Sequence, residues 1–494
     1  MAAKGERFFW KENRIFAPCM GNRKPRENRL IENLSVIDIA EEGKGVAKAD
    51  ELVLFIDKAI PGDVVDVSLY RKKKNFGEAS IVAIRQASPY RTEAFCQHFG
   101  TCGGCKWQHM DYAAQLIYKQ KSVENALSRI GKVDIEPMES ILPSAQTRYY
   151  RNKLEYTFSN KRWLTAADVS SGEQHEDMDA LGFHVPLRFD KILDIDHCYL
   201  QADPSNAIRN GLRDFTKQHA ISYYDLRRHS GALRNLMIRT STTGDLMVVV
   251  VFAYPTEEEI DLVMEYLKEG FPAITSLQYI VNQKKNDTIF DQEIVCYHGA
   301  EDHIFEQMGD LRFKIGAKSF YQTNSVQAYE LYKIAKDFAS FTGNEKVYDL
   351  YTGAGTIANF VARDVTEVIG VEYVPSAIED AYINSEINGI ENTKFYAGDM
   401  KDVLVPAFIE EHGKPDVVIT DPPRAGMHPD VVARLLEMEA PKIVYVSCNA
   451  ATQARDLALL SEKYMVKRIK PVDMFPHTQH VENVVLLELA TDNA

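Results

Sequence analysis

From about residue 316 onward, short β-branched runs alternate with amphipathic stretches, and that alternation restricts this part of the chain to a sheet layered between helices. Strand-like runs fall at 347–350, 368–371, 417–420 and 443–446, with a last one at 484–489. The spacing predicts a doubly wound α/β domain over 316–494. Such sheets bind their ligands at the carboxyl ends of the strands. In Lys442-Ile-Val-Tyr-Val-Ser-Cys-Asn-Ala-Ala451, Cys448 follows a buried-strand pattern and precedes a helical stretch beginning near Thr452. Amides of a first helical turn favour thiolate over thiol. A single cysteine is more often a buried, inert one; the stretches around Cys448 weigh against that.

The rest of the chain is organised differently. A length of 494 residues is too great for one core and implies two to four domains. Residues 1–30 show no sustained period and carry Arg14, Arg23, Lys24, Arg26 and Arg29, which reads as a basic flexible tail. Four or five short strands over 31–90, separated by Gly43-Lys-Gly45, Pro61-Gly62 and Asn75-Phe-Gly77, predict a small antiparallel, OB-like barrel. Over 91–315 the pattern is mixed α+β. It has a helix at 113–130, strands at 153–158, 233–240 and 246–252, a hairpin turn at Thr242-Thr-Gly-Asp245, and a polar, irregular insertion at 163–179.

The formal charge of −14 excludes indiscriminate nucleic-acid binding, although Arg71-Lys72-Lys73-Lys74 leaves a local basic patch able to meet phosphates. No apolar run approaches the roughly 20 residues of a membrane span, and the first twenty residues lack a signal-peptide core. A cytoplasmic, monomeric protein without membrane contact is expected. Three of seven cysteines crowd into 96–105, which in a reducing compartment points to metal rather than disulfides.

Three constellations carry chemistry. Asp349-Leu-Tyr-Thr-Gly353-Ala-Gly355-Thr-Ile-Ala358 is a glycine-rich strand-to-helix turn, with Glu372 ending the next strand, where a carboxylate can accept from both ribose hydroxyls. This spacing suits a nucleotide-like cofactor and also admits NAD. Thr420-Asp421-Pro422-Pro423-Arg424 leaves a strand through two prolines that hold the chain extended. Cys96-x5-Cys102-Gly-Gly-Cys105, with Cys198 far downstream, supplies three or four thiolates to one centre, zinc or iron–sulfur. Cys19 and Cys296 have no partners in this pattern.

Taken in order, Gly353-Ala-Gly355, Asp421-Pro-Pro-Arg424, Ser447-Cys448-Asn449 and Pro476-His-Thr-Gln-His-Val-Glu482 resemble the RNA uracil-5 methyltransferases that use S-adenosylmethionine. The resemblance implies a Rossmann-like methyltransferase domain with Cys448 as nucleophile and Glu482 as general base. It assigns Gln322, Tyr351, Thr356, Glu372, Asp399 and Asp421 to the cofactor, and makes Phe320 an aromatic stacked on a displaced base; ordinary core packing is the competing reading of Phe320. The run Cys-x5-Cys-Gly-Gly-Cys-Lys-Trp-Gln108-His109 looks like that of the ribosomal-RNA branch, which implies a 4Fe–4S cluster on Cys96, Cys102, Cys105 and Cys198 in the central domain. The barrel, with Gly43-Lys-Gly-Val-Ala and Ile60-Pro-Gly-Asp63, resembles a TRAM domain and implies an RNA-gripping module. The expected substrate is 23S rRNA, with tRNA as the runner-up. A noncatalytic RNA-binding or assembly factor, and an amine methyltransferase suggested by Asp-Pro-Pro alone, are the alternatives from other classes.

Overall fold

The computed structural model describes residues 29–490 apart from 41, 173–175 and 300. The basic tail expected over 1–30 lies outside the described residues except for its last two, and so does Cys19. Strands β1 (Arg29–Ile39), β2 (Gly45–Ala49), β3 (Leu52–Asp57), β4 (Val64–Lys72) and β5 (Phe76–Gln86) close into a barrel in the order β1-β2-β3-β5-β4. Residues alternating along these strands, among them Val36, Leu54, Ile56, Val65 and Val67, fill its interior. The expectation of a purely antiparallel barrel is corrected. β3 and β5 run parallel, because a closed ring of five strands cannot alternate direction all the way round. The Pro61-Gly62-Asp63 turn is pinned by the buried Asp63 carboxylate. It accepts the Ile60 and Ser88 amides at 2.9 Å and the Arg91 Nε and Nη2 at 2.7 Å.

A second sheet has the order β12-β11-β10-β9-β6-β7-β8. Its strands are β6 (Lys153–Ser159), β7 (Ala180–Val185), β8 (Arg188–Asp194), β9 (Leu233–Thr240), β10 (Leu246–Phe252), β11 (Ser276–Val281) and β12 (Val295–His298). The predicted hairpin is β9–β10, antiparallel from Thr240 opposite Leu246. Part of the polar insertion is ordered after all: Thr165 and Asp168 form a reciprocal capping box on the short helix Ala166–Ser171. A hairpin, β13 (His303–Met308) with β14 (Leu311–Gly316), follows.

The third sheet is the predicted α/β layer, in the order β17-β16-β15-β18-β19-β21-β20. β15 (Lys346–Leu350), β16 (Glu367–Glu372), β17 (Thr393–Ala397), β18 (Val417–Thr420) and β19 (Lys442–Ser447) are parallel to one another. β20 (Tyr464–Val472) and β21 (Glu482–Leu489) complete it, and β21 runs antiparallel to both β19 and β20. The reversal of β21 brings its first residue to the same edge as the last residue of β19.

Residues 112–142 lie on this third sheet. Val123 and Leu127, from helix Tyr112–Ala126 and the π-turn Leu127–Gly131, share a buried cluster with Ala454 and Leu457 of helix Ala450–Leu460. Met138 and Leu142 bridge to Ile469 and Val472 of β20. A fully buried ion pair ties the helix to the loop after β20: Lys119 Nζ lies 2.5 Å from Asp473 Oδ1 and donates to the Phe475 carbonyl at 3.0 Å. Tyr112 donates to the other Asp473 oxygen at 2.8 Å. Burial pulls the Lys119 ammonium down from its ordinary range while Asp473 opposes it. Among the described residues no helix is long and apolar enough to cross a membrane.

Removing one partner of such a pair strands a charge in the core. Lys119→Met should cost about 3–5 kcal/mol, read as a fall in the denaturation midpoint. Adding Asp473→Asn in the same chain should recover most of the loss, and additive losses would contradict this account.

Candidate active site

The residues assigned to the cofactor collect at one edge of the third sheet. Tyr351, Glu372, Asp399 and Asp421 lie at or just beyond the carboxyl ends of β15, β16, β17 and β18. Tyr351 adopts φ 63°, a left-handed conformation that a bulky residue rarely takes outside functional turns. Gly355 has φ 74°, and a Cβ there would lie 2.9 Å from that of Ala381, so only glycine fits the turn. Thr356 opens the helix Thr356–Ala362 that follows. Glu372 accepts the Gly353 amide at 3.2 Å and the Val374 amide at 2.9 Å, leaving lone pairs on both oxygens. Asp399 caps the helix Met400–Val403 by accepting the Lys401 amide. Behind the turn, Asp349 is fully buried. Thr352 donates to one of its oxygens at 2.5 Å, the other has no partner, and burial pushes the carboxyl up to about 7.

β19 and β21 set the second half of the site. Their register pairs Ser447 with Asn483, so extending it by one residue puts Cys448 directly opposite Glu482. Opposed residues of an antiparallel pair project to the same face, with Cα atoms about 4.5–5.5 Å apart. The electrostatics agree with this proximity. Burial first, then Glu482 and Asp421, pushes the half-buried Cys448 thiol up to about 11, and Arg424 opposes them. Burial and then Asp421 push the Glu482 carboxyl up to about 8. Asp421 itself rises to about 7 through burial.

The turn carrying Cys448 is braced. Asn449 caps helix Ala450–Leu460 by accepting the Ala451 amide at 3.0 Å and the Thr452 amide at 3.4 Å. The Arg424 carbonyl accepts from Asn449 Nδ2 and Thr452 Oγ1, both at 3.2 Å. The loop leading into Glu482 is held from the other side. Gln115 accepts the His477 amide at 2.8 Å, and the His477 carbonyl accepts the Lys106 and Trp107 amides at 2.8 and 3.0 Å. Asn324, capping helix Ser325–Ala339, donates to the Met474 carbonyl at 2.9 Å. Half-buried Gln322 sits two residues before that cap, its carbonyl accepting from Asn152.

Cys448 opens into a cleft of about 590 Å³, lined also by Arg424, His480, Trp107, Tyr118 and Arg129 and, on the barrel, by Ile39 and Glu42. Phe320 is 71% exposed, so core packing is not its role. Lys72, Lys73 and Lys74 are exposed on the barrel.

A second cavity, of about 390 Å³, is lined by Cys96, Cys102, Cys105 and Cys198 together with Gln108 and Arg151. Cys198 joins the other three across its long sequence gap because Asn206 accepts its amide at 2.8 Å and donates to its carbonyl at 3.3 Å. Burial raises all four thiols, Cys102 to about 12 and Cys105 to about 11. Among the described residues, no three His, Cys, Asp or Glu side chains stand close enough to hold a single metal ion. Cys296 is exposed and does not line this cavity.

Sequence reasoning missed the Lys119–Asp473 pair, the Gln115–His477 clamp and the guanidinium of Arg424. On a helix of mixed polarity, Lys119 and Gln115 look like solvent-facing residues, and no local signal sets them apart.

The sequence model of the tRNA (Uracil-5-)-methyltransferase family matches residues 227–490. A protein described as an uncharacterized RNA methyltransferase, from Bacteroides thetaiotaomicron, is 58% identical over 454 residues, covering 91% of this chain and all of that one. A second so described, from Porphyromonas gingivalis, is 55% identical over 466 residues, covering 93% of this chain and all of that one. The crystal structure of Pyrococcus abyssi tRNA (uracil-54, C5)-methyltransferase in complex with S-adenosyl-L-homocysteine superposes with a TM-score of 0.71 at 28% identity, over 92% of this chain and 100% of that one. With an edge that suits a nucleotide cofactor, a thiol facing a carboxyl group, and these full-length likenesses, the chain belongs to the tRNA (uracil-5-)-methyltransferase family of RNA methyltransferases.

Proposed function

We propose that this enzyme methylates C5 of a uridine in 23S rRNA through a covalent adduct between Cys448 and C6 of the uracil. The register of β19 against β21, which sets Cys448 opposite Glu482, is the observation that carries this reading. C5 of uracil is a weak carbon nucleophile. Attack of the Cys448 sulfur on C6 pushes the C5–C6 π pair into an enolate and raises the electron density at C5. Bound S-adenosylmethionine supplies an electrophilic methyl group on a sulfonium. Once C5 carries the methyl, its remaining proton passes to Glu482, and the returning electron pair expels the thiolate.

Gln322, Tyr351, Thr356, Glu372, Asp399 and Asp421 would hold the cofactor. The free lone pairs of Glu372 suit a ligand rich in donors. Exposed Phe320 suits stacking on a base drawn out of the RNA stack. The barrel acts as a TRAM-type grip, with Lys72, Lys73 and Lys74 contacting phosphates.

The four-cysteine cavity suits a 4Fe–4S cluster better than zinc. All-thiolate ligation is right for both, all four cysteines line one cavity, and the likeness of the Cys-x5-Cys-Gly-Gly-Cys run to that of the ribosomal-RNA branch favours the cluster. Metal charge would also deprotonate thiols that burial otherwise keeps neutral. Its place is structural: Lys106 and Trp107, next to Cys105, hold the loop that leads into Glu482.

A second reading takes tRNA as substrate, favoured by the likeness to the Pyrococcus tRNA enzyme along nearly the whole chain. Labelled S-adenosylmethionine with rRNA and tRNA from a strain lacking the gene separates the two. The expected product is 5-methyluridine in 23S rRNA; label in tRNA alone selects the second reading, and label in neither rejects both. Glu482→Gln should lower turnover about 10²–10⁴-fold and accumulate a denaturation-resistant RNA–protein adduct, whereas Cys448→Ala should give neither product nor adduct. Methylation that survives Cys448→Ala contradicts the mechanism.

Protein purified without oxygen should be brown and carry about four irons per chain, with iron lost in Cys198→Ser. Colourless protein with one zinc would contradict the cluster assignment.

A further inference from the structure

Resting on the proposed role of Cys448 as nucleophile, the geometry points to a positioning role for Arg424: its guanidinium is the cation that stabilises the Cys448 thiolate. The thiol needs such a group. Two carboxyl groups, Glu482 at the start of β21 and Asp421 just after β18, lie at the same sheet edge, and each, when ionised, opposes a negative charge on the sulfur. Ionisation breaks the S–H bond, leaves the electron pair on sulfur and releases the proton to solvent, so it adds one negative charge to this cluster. Arg424 lines the same cleft as Cys448. Its carbonyl is fastened to the turn after Cys448 by Asn449 and Thr452, which ties its backbone to that of the nucleophile.

The guanidinium is free for this work. Among the described residues, Arg424 forms no ion pair with any carboxylate, whereas Arg455, which also contacts the loop carrying Arg424, pairs with Asp456. Its side-chain partner is the His480 imidazole, 3.4–3.5 Å from Nη2. Burial, with Arg424 beside it, holds that ring down to about 4, so at neutral pH it is an uncharged prop rather than a competing cation. Two carboxyl groups thus act on the sulfur, while an uncharged imidazole and an unpaired guanidinium line the cleft into which it opens. The same cation opposes the upward shift of both Cys448 and Glu482.

The test is the pH dependence of Cys448 alkylation by iodoacetamide, followed on the Cys448 peptide by mass spectrometry with the full chain. Arg424→Gln should move the midpoint up by about one pH unit and slow alkylation about tenfold at neutral pH, and Arg424→Lys should recover most of the rate. An Arg424→Gln profile that superimposes on wild type overturns the inference. If the neutral variant fails to fold by circular dichroism, phenylglyoxal modification of the folded wild-type chain replaces it: molecules modified at Arg424 should show the same tenfold slowing, and an unchanged rate overturns the inference. The assay uses neither RNA nor S-adenosylmethionine. An unchanged profile together with a methylation-dead Cys448→Ala would reject the role of Arg424 alone, and a shifted profile with an active Cys448→Ala would reject the nucleophile alone.

Discussion

Cys448 and Glu482 meet because the last strand of the sheet runs against its neighbour. Five parallel strands bring their carboxyl ends to one edge, and that edge would hold only strand termini and the loops that follow them. Inserting β21 antiparallel between β19 and β20 adds a strand that begins at this edge. Its first residue, Glu482, is 4% exposed and stands across from the residue that follows β19. Backbone hydrogen bonds of the β19–β21 ladder, up to Ser447 opposite Asn483, therefore set the backbone positions from which thiol and carboxyl project. A one-residue slip would send one of the two side chains to the opposite face.

That register is backed by polar contacts that join distant parts of the chain. Lys119, Gln115 and Tyr112 on one helix hold Asp473 and His477 of the loop entering β21. Lys106 and Trp107 hold the same loop from the cysteine-rich segment. A misplacement of about 1 Å at a reacting group can cost about a hundredfold in rate, so on the proposed mechanism these buried contacts would matter for rate as well as for structure. The site is electrostatically tense. Burial keeps Cys448, Glu482 and Asp421 above their ordinary ranges, with repulsion from neighbouring carboxyl groups added at Cys448 and Glu482, a pattern typical of sites that move protons rather than of inert cores.

Much of the fold was legible because strand periodicity is local. The run read at 443–446 is the centre of β19, the barrel strands appear where glycine and proline punctuate the sequence, and the Thr242-Thr-Gly-Asp245 hairpin forms as written. Direction and partnership are not local, and there the reading stopped. Nothing in 484–489 says that the strand runs backwards, and nothing in 52–57 or 76–86 says that those two strands are parallel. Residues 112–142 show an apolar face without naming the sheet that covers it. For the site, motif order pointed to Cys448, Glu482 and Asp421, and the structure brings these three together. It could not decide Phe320, whose ring is as apolar in a core as on a surface, and it named Arg424 in a motif without a role, since its lack of an ion-pair partner among the described residues is a matter of packing, not of local sequence.

The most direct measurement offers the enzyme RNA in which uridine is replaced by 5-fluorouridine, whose C5 fluorine cannot leave as the proton does. The account predicts a complex that survives denaturation and yields, on digestion, a single modified peptide bearing the nucleotide on Cys448. A nucleotide attached to any other residue, or no stable complex with an enzyme that methylates unsubstituted RNA, would contradict it.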